Sequence, residues 1–264
     1  MRQIGIMGLG FMGSAIARAI RRRFPDLRIG VVEKDASRRA SAVAELEAVD
    51  YNASPAKLVS SSEALVVAIK PQDLASFSET VGTVPPDRLL ISVLAGTSIE
   101  RVAEYTGSRR VVRIMPNLAA EVGRAVVGVS FTGDVGDEER KSTLDLLDGL
   151  GTLLEIPERL MAAITGLAGS GIAFAFDFVH ALAMGGVEQG LAYPQSLTAA
   201  LEVVESAAIL IRHSGAHPQE LISRVCSPAG TTVAGVRALA AGGLQETVMD
   251  AVGRAAARSR KLEG

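Results

Sequence analysis

Short apolar runs alternate with longer stretches in which apolar residues recur at helical spacing, through the first half of the chain. A continuous apolar run bounded by turn residues is typical of a strand buried on both faces, and the recurring spacing is typical of a helix. Their alternation predicts a doubly wound parallel sheet. The predicted strands are residues 4–7, 28–33, 64–69, 89–94, 111–114, 125–130 and an edge strand at 152–156; the helices are 14–23, 37–46, 72–81, 98–105 and 137–150.

The strand pattern ends at Pro157. Beyond it, four stretches carry apolar residues at helical spacing, and prolines stand where helices begin. The chain is therefore predicted to be an α/β protein with a sheet domain over residues 1–156 and an all-helical domain over 157–264. The predicted helices of the second domain are 169–190, 194–213, 231–241 and 244–262.

A glycine triplet, Gly8, Gly10 and Gly13, stands between the first predicted strand and the first predicted helix. In this position the first glycine permits a tight turn, the second lets a pyrophosphate approach the backbone, and the third allows close packing of helix and strand. The N–H groups at the helix start, beginning with Phe11 and Met12, point at the phosphates. The pattern predicts a Rossmann-like fold that binds a dinucleotide.

Glu33 ends the second predicted strand, about 20 residues after the glycine turn, where an acidic side chain accepts hydrogen bonds from the adenosine ribose. This acid favours NADH over NADPH, because a 2′-phosphate would stand beside a carboxylate. Three cations just downstream, Lys34, Arg38 and Arg39, would neutralise that phosphate or simply face solvent. The sequence therefore leaves the choice of cofactor open, with a slight preference for NADH.

Other predicted strands end with polar or small residues that would lie at the same edge of the sheet, where ligands bind in open α/β folds. Lys70 is a cation at the carboxyl edge of the predicted buried strand 64–69. Asn117 follows another strand and would either bind cofactor or cap the next turn. The predicted cofactor-binding residues at these strand ends are Ala68, Ile69, Lys70, Pro71, Ala95, Gly96 and Asn117.

Composition excludes several classes of protein. The formal net charge of −2 argues against nucleic acid as a partner. The single cysteine, Cys226, excludes an internal disulfide framework and fits the cytoplasm, and the first strand begins too early for a signal peptide. No metal-ligand spacing is present. A membrane span is not expected, because glycines break the longest apolar stretch, near residues 160–175.

Three segments together resemble the pyrroline-5-carboxylate reductases: Val67-Ala68-Ile69-Lys70-Pro71-Gln72, Val112-Arg113-Ile114-Met115-Pro116-Asn117 and Ser227-Pro228-Ala229-Gly230-Thr231-Thr232. The resemblance covers nearly the whole chain. It implies NAD(P)H-dependent reduction of 1-pyrroline-5-carboxylate to L-proline, the last step of proline biosynthesis. It also implies a homodimer formed through the helical domain, which in many members assembles further into rings.

The resemblance also implies the substrate site. The loop at residues 227–232 would hold the substrate carboxylate through N–H groups and hydroxyls, and Thr232 would also hydrogen-bond the ring nitrogen. Thr165, in a glycine-rich entrance to a long helix, matches a threonine near the nicotinamide, and Lys70 is the third candidate catalytic residue. The substrate-binding candidates are Ser227, Ala229, Gly230, Thr231 and Thr232.

The chain departs from the family pattern near the substrate. Ile172 replaces a proline, Leu118-Ala119 replace Thr-Pro, and Ala229 replaces a glycine. A positive φ at Ala229 would cost about 1 kcal/mol or more. These departures put the identity of the imine in question more than the type of reaction.

Two other functions compete with this interpretation, besides reduction of a related cyclic imine. A hydroxyacid dehydrogenase on the same two-domain plan needs a general base, commonly a lysine entering the second domain, and no lysine lies between Lys141 and Lys261. An inactive dinucleotide-binding protein is expected to lose the polar loop at residues 227–232, which this chain keeps.

Overall fold

The computed structural model describes residues 2–263 and divides them into two compact units. The described residues up to Ser170, together with those from Gly253 onward, form the first unit, and Gly171–Val252 form the second. The last strand ends at Glu155 and the chain is helical from Glu158 onward. The end of the strand pattern at residue 157 therefore marks a change of secondary structure, while the first compact unit continues to Ser170.

The first unit is built on one eight-stranded sheet with the order β3-β2-β1-β4-β5-β6-β7-β8. All the predicted strands are present, and β8 lies at the edge as expected. The strands are β1 Gln3–Met7, β2 Arg28–Val32, β3 Val49–Asp50, β4 Ala64–Val67, β5 Leu89–Ser92, β6 Arg110–Met115, β7 Ala125–Phe131 and β8 Gly151–Glu155. The helices are α1 Phe11–Arg23, α2 Ala36–Leu46, α3 Pro55–Ser61, α4 Leu74–Val81, α5 Ile99–Thr106, α6 Asp137–Leu147 and α7 Met161–Ile164.

Both faces of the sheet are covered. Along β4, Ala64 and Val66 belong to one buried cluster with α1, α2 and α6, whereas Leu65 and Val67 belong to another with α3, α4 and α5. Successive side chains of a strand point to opposite faces, so an unbroken apolar run requires helices on both sides. Each such aliphatic side chain contributes about 1.5–3 kcal/mol relative to an exposed one. The doubly wound architecture predicted from the sequence is confirmed.

The sheet is not wholly parallel, because β7 runs antiparallel to β6. Only a short 3-10 turn, Leu118–Val122, connects the two strands, and a parallel crossover needs a dozen or more residues. Asn117 caps this turn by accepting a hydrogen bond from the Ala119 N–H at 3.3 Å. The two-residue strand β3 and the helix α3 were not predicted, since both are too short to show a periodic pattern.

The second unit contains α8 Gly171–Glu188, α9 Tyr193–Ser214, α10 Pro218–Val225, α11 Thr231–Ala241 and the first part of α12 Leu244–Glu263. Helices α8 and α9 pack closely through small residues. The Ser196 hydroxyl donates a 2.6 Å hydrogen bond to the Ala183 carbonyl oxygen, and a Cβ on Gly186 would lie 2.1 Å from that hydroxyl. The all-helical prediction for this part of the chain is confirmed, with α10 as an additional helix.

Much of the second unit's apolar surface is exposed. Within Gly171–Val252, all of which the structure describes, only Ala183, Ser196 and Ala200 are buried. Two helical stretches, Glu158–Glu188 and Tyr193–Ser214, are long and apolar enough to cross a membrane by length and composition alone. The expectation that glycines break the first of them was wrong. They lie in a π-helical turn, Thr165–Gly169, and at the start of α8, and the helix continues through them.

Candidate active site

The glycine loop between β1 and α1 has the shape that a dinucleotide pyrophosphate requires. Gly8 has φ +91°, and a Cβ there would lie 2.7 Å from the Ala68 carbonyl oxygen. A Cβ on Gly13 would lie 2.0 Å from the Gly8 carbonyl oxygen, so only glycine permits this contact. At Gly10, by contrast, nothing lies within 4 Å of the Cβ position. Two glycines therefore shape the loop and the third leaves open space in front of it.

The N-terminus of α1 is electrostatically suited to an anion. Gly10 is its N-cap and has no side chain to accept from the first turn, which contains no acidic residue. The N–H groups of Phe11 and Met12 thus lack intrahelical acceptors and lie at the positive end of the helix dipole. The loop and the helix together fit the phosphates of a nicotinamide dinucleotide.

A cavity of about 480 Å³ opens beside this loop, at the carboxyl ends of β1, β2 and β4. Ligands of open α/β sheets bind at this edge. The cavity brings together half of the residues that the sequence assigned to the cofactor: Gly8, Gly10, Glu33, Lys34, Ala68, Ile69 and Lys70.

The other predicted cofactor residues do not line this cavity. Gly13 lies behind the loop, against the Gly8 carbonyl oxygen. Gly96 is buried against the last helix, because a Cβ on Gly96 would lie 2.8 Å from the Leu262 Cβ. Both ends of the Asn117 side-chain amide already have partners within the first unit. Oδ1 accepts from the Ala119 N–H at 3.3 Å, and Nδ2 donates to the Ala168 carbonyl oxygen at 3.1 Å. The other predicted cofactor residues that do not line the cavity are Phe11, Met12, Pro71 and Ala95.

One wall of the cavity was missed by the sequence reasoning. It is formed along α4 and the 3-10 turn before it, where Asp73, Ser76, Phe77, Thr80 and Val81 line the space. The available signal was the position of this helix, which directly follows the carboxyl end of β4. Its residue types alone gave no indication of a ligand.

Glu33 is buried, and both of its carboxylate oxygens are engaged. Oε2 accepts a 2.6 Å hydrogen bond from the Leu9 N–H in the glycine loop. Oε1 accepts from the Asp35 N–H at 2.8 Å and from Arg38 Nη2 at 3.3 Å. The carboxylate thus connects the end of β2 to the turn that would hold the pyrophosphate.

The cations near Glu33 have different surroundings. Arg39 Nη1 donates to the Glu33 carbonyl oxygen at 2.7 Å and Arg39 Nε to Asp50 at 3.1 Å, so this side chain is held away from the cavity. Lys34 forms an ion pair with Asp73 at 3.8 Å. Lys70 has no hydrogen-bond or ion-pair partner among residues 2–263 and lines the cavity. Lys70 is therefore available to a ligand.

Asp35 sets the start of α2 beside the same cavity. Its carboxylate caps the helix by accepting from the Arg38 N–H at 2.9 Å. This hydrogen bond, aided by the nearby Arg38 charge, lowers the pKa of the Asp35 carboxyl below its ordinary value. The capped turn fixes the backbone from which Arg38 extends.

The loop at residues 227–232 forms a tight turn before α11 in the second unit. The Gly230 N–H donates to the Ser227 carbonyl oxygen at 3.0 Å, and Ala229 between them has φ +57°. Gly230 is the N-cap of α11 and provides no side-chain acceptor, which leaves the first N–H groups of the helix for an anion. Thr231 and Thr232 are its first two helical residues, and Thr232 is half-buried.

Thr165 begins the π-helical turn Thr165–Gly169 of the first unit. Its hydroxyl donates to the Met161 carbonyl oxygen at 2.7 Å, which leaves the hydroxyl oxygen able to accept another hydrogen bond. Single π-helical turns are frequent at functional sites. Among residues 2–263, no group of three or more His, Cys, Asp or Glu side chains is placed to hold a metal ion.

Comparison with known proteins identifies the family. Residues 158–262 match the family model for pyrroline-5-carboxylate reductase dimerisation, and residues 3–96 match the model for NADP oxidoreductase, coenzyme F420-dependent. A pyrroline-5-carboxylate reductase of Aquifex aeolicus (strain VF5) is 36% identical over 98% of this chain and 97% of its own length. The chain belongs to the pyrroline-5-carboxylate reductase family. The resemblance stated from the three sequence segments is confirmed.

Solved structures agree with this assignment. A 1-pyrroline-5-carboxylate reductase from Streptococcus pyogenes is 28% identical, covers 98% of both chains and superposes with a TM-score of 0.89. The Plasmodium falciparum pyrroline carboxylate reductase, solved with NADP bound, is 26% identical over 99% of this chain and 98% of its own, with a TM-score of 0.86. The chain is thus an NAD(P)H-dependent oxidoreductase of proline biosynthesis, and its helical part carries the dimerisation domain.

Proposed function

We propose that this chain reduces 1-pyrroline-5-carboxylate to L-proline through the residues placed above, with NAD(P)H held at the glycine loop. The observation that carries the proposal is the fit of that loop. Gly8 and Gly13 are sterically required, Gly10 leaves open space, and α1 presents free N–H groups beside a 480 Å³ cavity. The nicotinamide, when bound, supplies the hydride.

The glycine loop and α1 hold the pyrophosphate in this proposal, and the α4 wall encloses the adenosine end of the cavity. Lys70, a free ammonium at the carboxyl end of β4, contributes positive charge to the same cavity. Thr165 lies on the π-helical turn, where its hydroxyl keeps one acceptor position for the nicotinamide. These groups bind and orient, and none of them forms a covalent bond with the substrate.

The loop at residues 227–232 binds the substrate in this proposal. The N–H groups at the start of α11 and the hydroxyls of Ser227 and Thr231 hold the carboxylate. The Thr232 hydroxyl forms a hydrogen bond at the ring nitrogen and so keeps a proton at the atom whose protonation makes the imine carbon electrophilic. The support is the N-cap geometry of α11, which has no internal side-chain acceptor.

A second copy of the chain covers the exposed apolar helices α8 and α9 in the proposed dimer, and the dimers assemble further into rings. Apolar patches of this extent on soluble proteins mark interaction surfaces. We also propose that the enzyme works in the cytoplasm, where its single half-buried cysteine, Cys226, stays reduced.

The Thr232→Ala variant tests the substrate role. Loss of the hydroxyl is expected to lower kcat/KM for 1-pyrroline-5-carboxylate about 100-fold or more, because a hydrogen bond at the protonated nitrogen is lost. The dissociation constant of NADPH, measured by its fluorescence, is expected to stay within about twofold. Thr152→Ala, an exposed threonine of the edge strand β8 that lies outside the dimerisation model and does not line the cavity, is the matched control.

Equal losses of turnover and cofactor binding in Thr232→Ala would contradict this role. A substrate panel completes the test: oxidation of NADH and NADPH is followed with 1-pyrroline-5-carboxylate and its six-membered analogue, and reduction of NAD+ and NADP+ is followed with a set of hydroxyacids. Turnover of hydroxyacids alone would overturn the proposed reaction, and turnover of the six-membered imine alone would overturn the proposed substrate.

A further inference from the structure

The loop between β5 and α5 exposes a single residue at the carboxyl edge of the sheet. Among residues 93–98, only Ala95 is exposed. The Val93 N–H donates to the Val67 carbonyl oxygen at 3.1 Å, so the loop begins beside the end of β4. Residues 68–70, which follow β4, line the cavity of the glycine loop. Ala95 therefore presents its backbone and one methyl group at the strand end adjacent to that cavity.

A dinucleotide bound at the glycine loop would extend along this edge toward β5. The strands lie in the order β2-β1-β4-β5, with Glu33 at the end of β2 and the glycine loop at the end of β1. A dinucleotide binds across the strand ends of such a sheet, where the strand order reverses. With the adenosine half on the β2 side, the nicotinamide half would fall on the side of β4 and β5.

The last turn of α12 lies directly against the β5–α5 loop. Gly96 has φ +65°, and a Cβ there would lie 2.8 Å from the Leu262 Cβ and 2.9 Å from the Leu262 carbonyl oxygen. Glycine adopts this φ without steric cost, and its missing side chain permits the close approach. The helix backbone thus approaches the loop backbone one residue away from Ala95.

An ion-pair cluster around Arg113 holds this helical turn. Arg113 Nη2 donates to Glu263 on the turn itself, and Nη1 donates to Glu158 Oε1 at 3.1 Å. The same Glu158 oxygen accepts a 2.7 Å hydrogen bond from the Ile99 N–H, at the start of α5. One guanidinium therefore fixes both the turn that packs on the loop and the helix that follows the loop.

Stability alone does not account for this cluster. Arg113 is almost completely buried, and its Nε is buried without a hydrogen-bond partner. A buried donor without a partner is destabilising, and well-packed apolar side chains often replace a complete buried ion-pair cluster without loss of stability. A role in positioning explains why these polar groups are buried beside the loop.

We propose that Glu263 is a positioning residue for the nicotinamide ring. Through Arg113 it holds the last turn of α12 against Gly96, and this contact fixes the backbone at Ala95. The inference rests on the proposed function in that the nicotinamide occupies the β5 end of the site. Glu263 does not line the cavity beside the glycine loop, so its effect is confined to the ring and spares the adenosine and the pyrophosphate.

The test compares two ligands that differ only in the nicotinamide, with the full-length protein and without any imine. NADH carries the ring, and ADP-ribose ends at the ribose that would bear it. Calorimetry gives both dissociation constants, and their ratio measures the contribution of the ring. NADPH and 2′-phospho-ADP-ribose form a second pair for the same measurement. Equal affinities of the two ligands for the wild type would overturn the inference, because the ring would then not be held.

Glu263→Ala is expected to remove about fivefold or more of the advantage of NADH over ADP-ribose, with ADP-ribose affinity within about twofold of the wild type. Arg113 keeps Glu158 in this variant, so the buried cation remains compensated and the fold is retained. Glu263→Gln keeps an acceptor oxygen for Arg113 and is expected to restore most of the ratio. An unchanged ratio in Glu263→Ala would overturn the inference.

Leu147→Ala is the control for general destabilisation. Leu147 is fully buried in the first unit, in the cluster on the opposite face of the sheet from Leu94 and Ile99. Its truncation leaves a cavity and lowers Tm, and the ligand ratio is expected to stay unchanged. A loss of the ratio as large as that in Glu263→Ala would show that destabilisation is the cause and would overturn the inference.

Gly96→Ala tests the contact from its other side. The added Cβ meets Leu262, so the loop or the helical turn must move. The losses in Glu263→Ala and Gly96→Ala are expected to be non-additive in the double variant, because both loosen one contact. Additive losses would show that the two residues act independently, contrary to the inference.

Turnover separates the inference from the proposed reaction. In Glu263→Ala, kcat with 1-pyrroline-5-carboxylate is expected to fall about tenfold, and the isotope effect of 4-deuterated cofactor to rise, because hydride transfer becomes slower. If the ligand ratio falls as expected while the wild type reduces no imine, the reaction is wrong and the positioning role stands. If the wild type reduces the imine while Glu263→Ala keeps both its ratio and its kcat, the inference is wrong and the reaction stands.

Discussion

Ala229 carries a backbone conformation that suits glycine. Its φ of +57° confirms the strain anticipated where alanine replaces the family's glycine. Among residues 2–263, Glu47 is the only other non-glycine residue with a positive φ. The residue lies in the turn that would bind the substrate, and strained conformations persist where the surrounding structure fixes them. The Gly230 to Ser227 hydrogen bond closes this turn.

Replacement of Ala229 by glycine is expected to stabilise the protein. Relief of the left-handed conformation gains about 1–2 kcal/mol, and the greater freedom of glycine in the unfolded chain offsets about 0.4–1 kcal/mol of this. The midpoint of urea unfolding should therefore rise slightly in Ala229→Gly. Ala234→Gly, in the exposed interior of α11, should lower the free energy of unfolding by about 1 kcal/mol and therefore lower the midpoint. A lower midpoint in Ala229→Gly would contradict the strain.

The positions of several cofactor-site residues could be predicted from the sequence, but their hydrogen-bond partners could not. Glu33, Lys34 and Lys70 were placed by the rule that strand ends form the site, and all three line the cavity. The partners of Glu33 were not predictable, because they depend on a side chain that turns back to the Leu9 N–H. Spacing along the chain fixes where a side chain starts but not which hydrogen bonds it makes.

At the scale of elements, Arg113 links strand β6 to two distant parts of the first unit. It is almost completely buried and forms ion pairs with Glu158, at 3.1 Å, and with Glu263 at the end of α12. Glu158 also accepts a 2.7 Å hydrogen bond from the Ile99 N–H at the start of α5. A single strand residue thus fixes the start of the helical segment and the last turn of the last helix.

Loss of the Arg113 charge is expected to destabilise the fold strongly. Removal of one partner from a buried ion pair leaves carboxylates without compensation, at a cost of about 3 kcal/mol in Arg113→Met. The control is Arg110→Met on the same strand, whose partly exposed 3.6 Å pair with Glu139 is worth at most about 1 kcal/mol. Thermal unfolding measures both, and similar shifts in Tm for the two variants would contradict the role of Arg113.

The element pattern predicted the existence of the strands but not all of their directions. β6 and β7 were both recognised as apolar runs, yet their antiparallel pairing follows from the short Leu118–Val122 turn between them. Hydrophobic periodicity reports burial and is identical for either direction. The ion pair of Arg113 with Glu263 was equally hidden, because the two residues lie 150 positions apart.

At the scale of the whole molecule, the dimerisation domain explains the exposed apolar helices. Val203 and Leu210 on α9 are 60% and 58% exposed and lie two turns apart on one face. The sequence alone did not distinguish an interface from other uses of such a helix, and the homodimer came only from the family resemblance. The family model covers both residues.

Charged residues on this face are expected to break the dimer. The double variant Val203→Arg, Leu210→Arg places two charges in an interface that must exclude water, so sedimentation should show monomer at concentrations where the wild type is dimeric. The control is Val122→Arg, a 72% exposed residue of the first unit outside the dimerisation model. An unchanged mass for the double variant would show that the interface lies elsewhere.

The return of the chain to its first unit has a consequence for synthesis. Residues from Gly253 onward complete that unit. Gly96 and Arg113 both lie against the last turn of α12, at Leu262 and Glu263. A ribosome must therefore translate the entire second unit before the sheet receives its final helix. Until then the Arg113 side chain lacks Glu263, and the surface that the last helix will cover stays exposed, a condition that favours aggregation during folding.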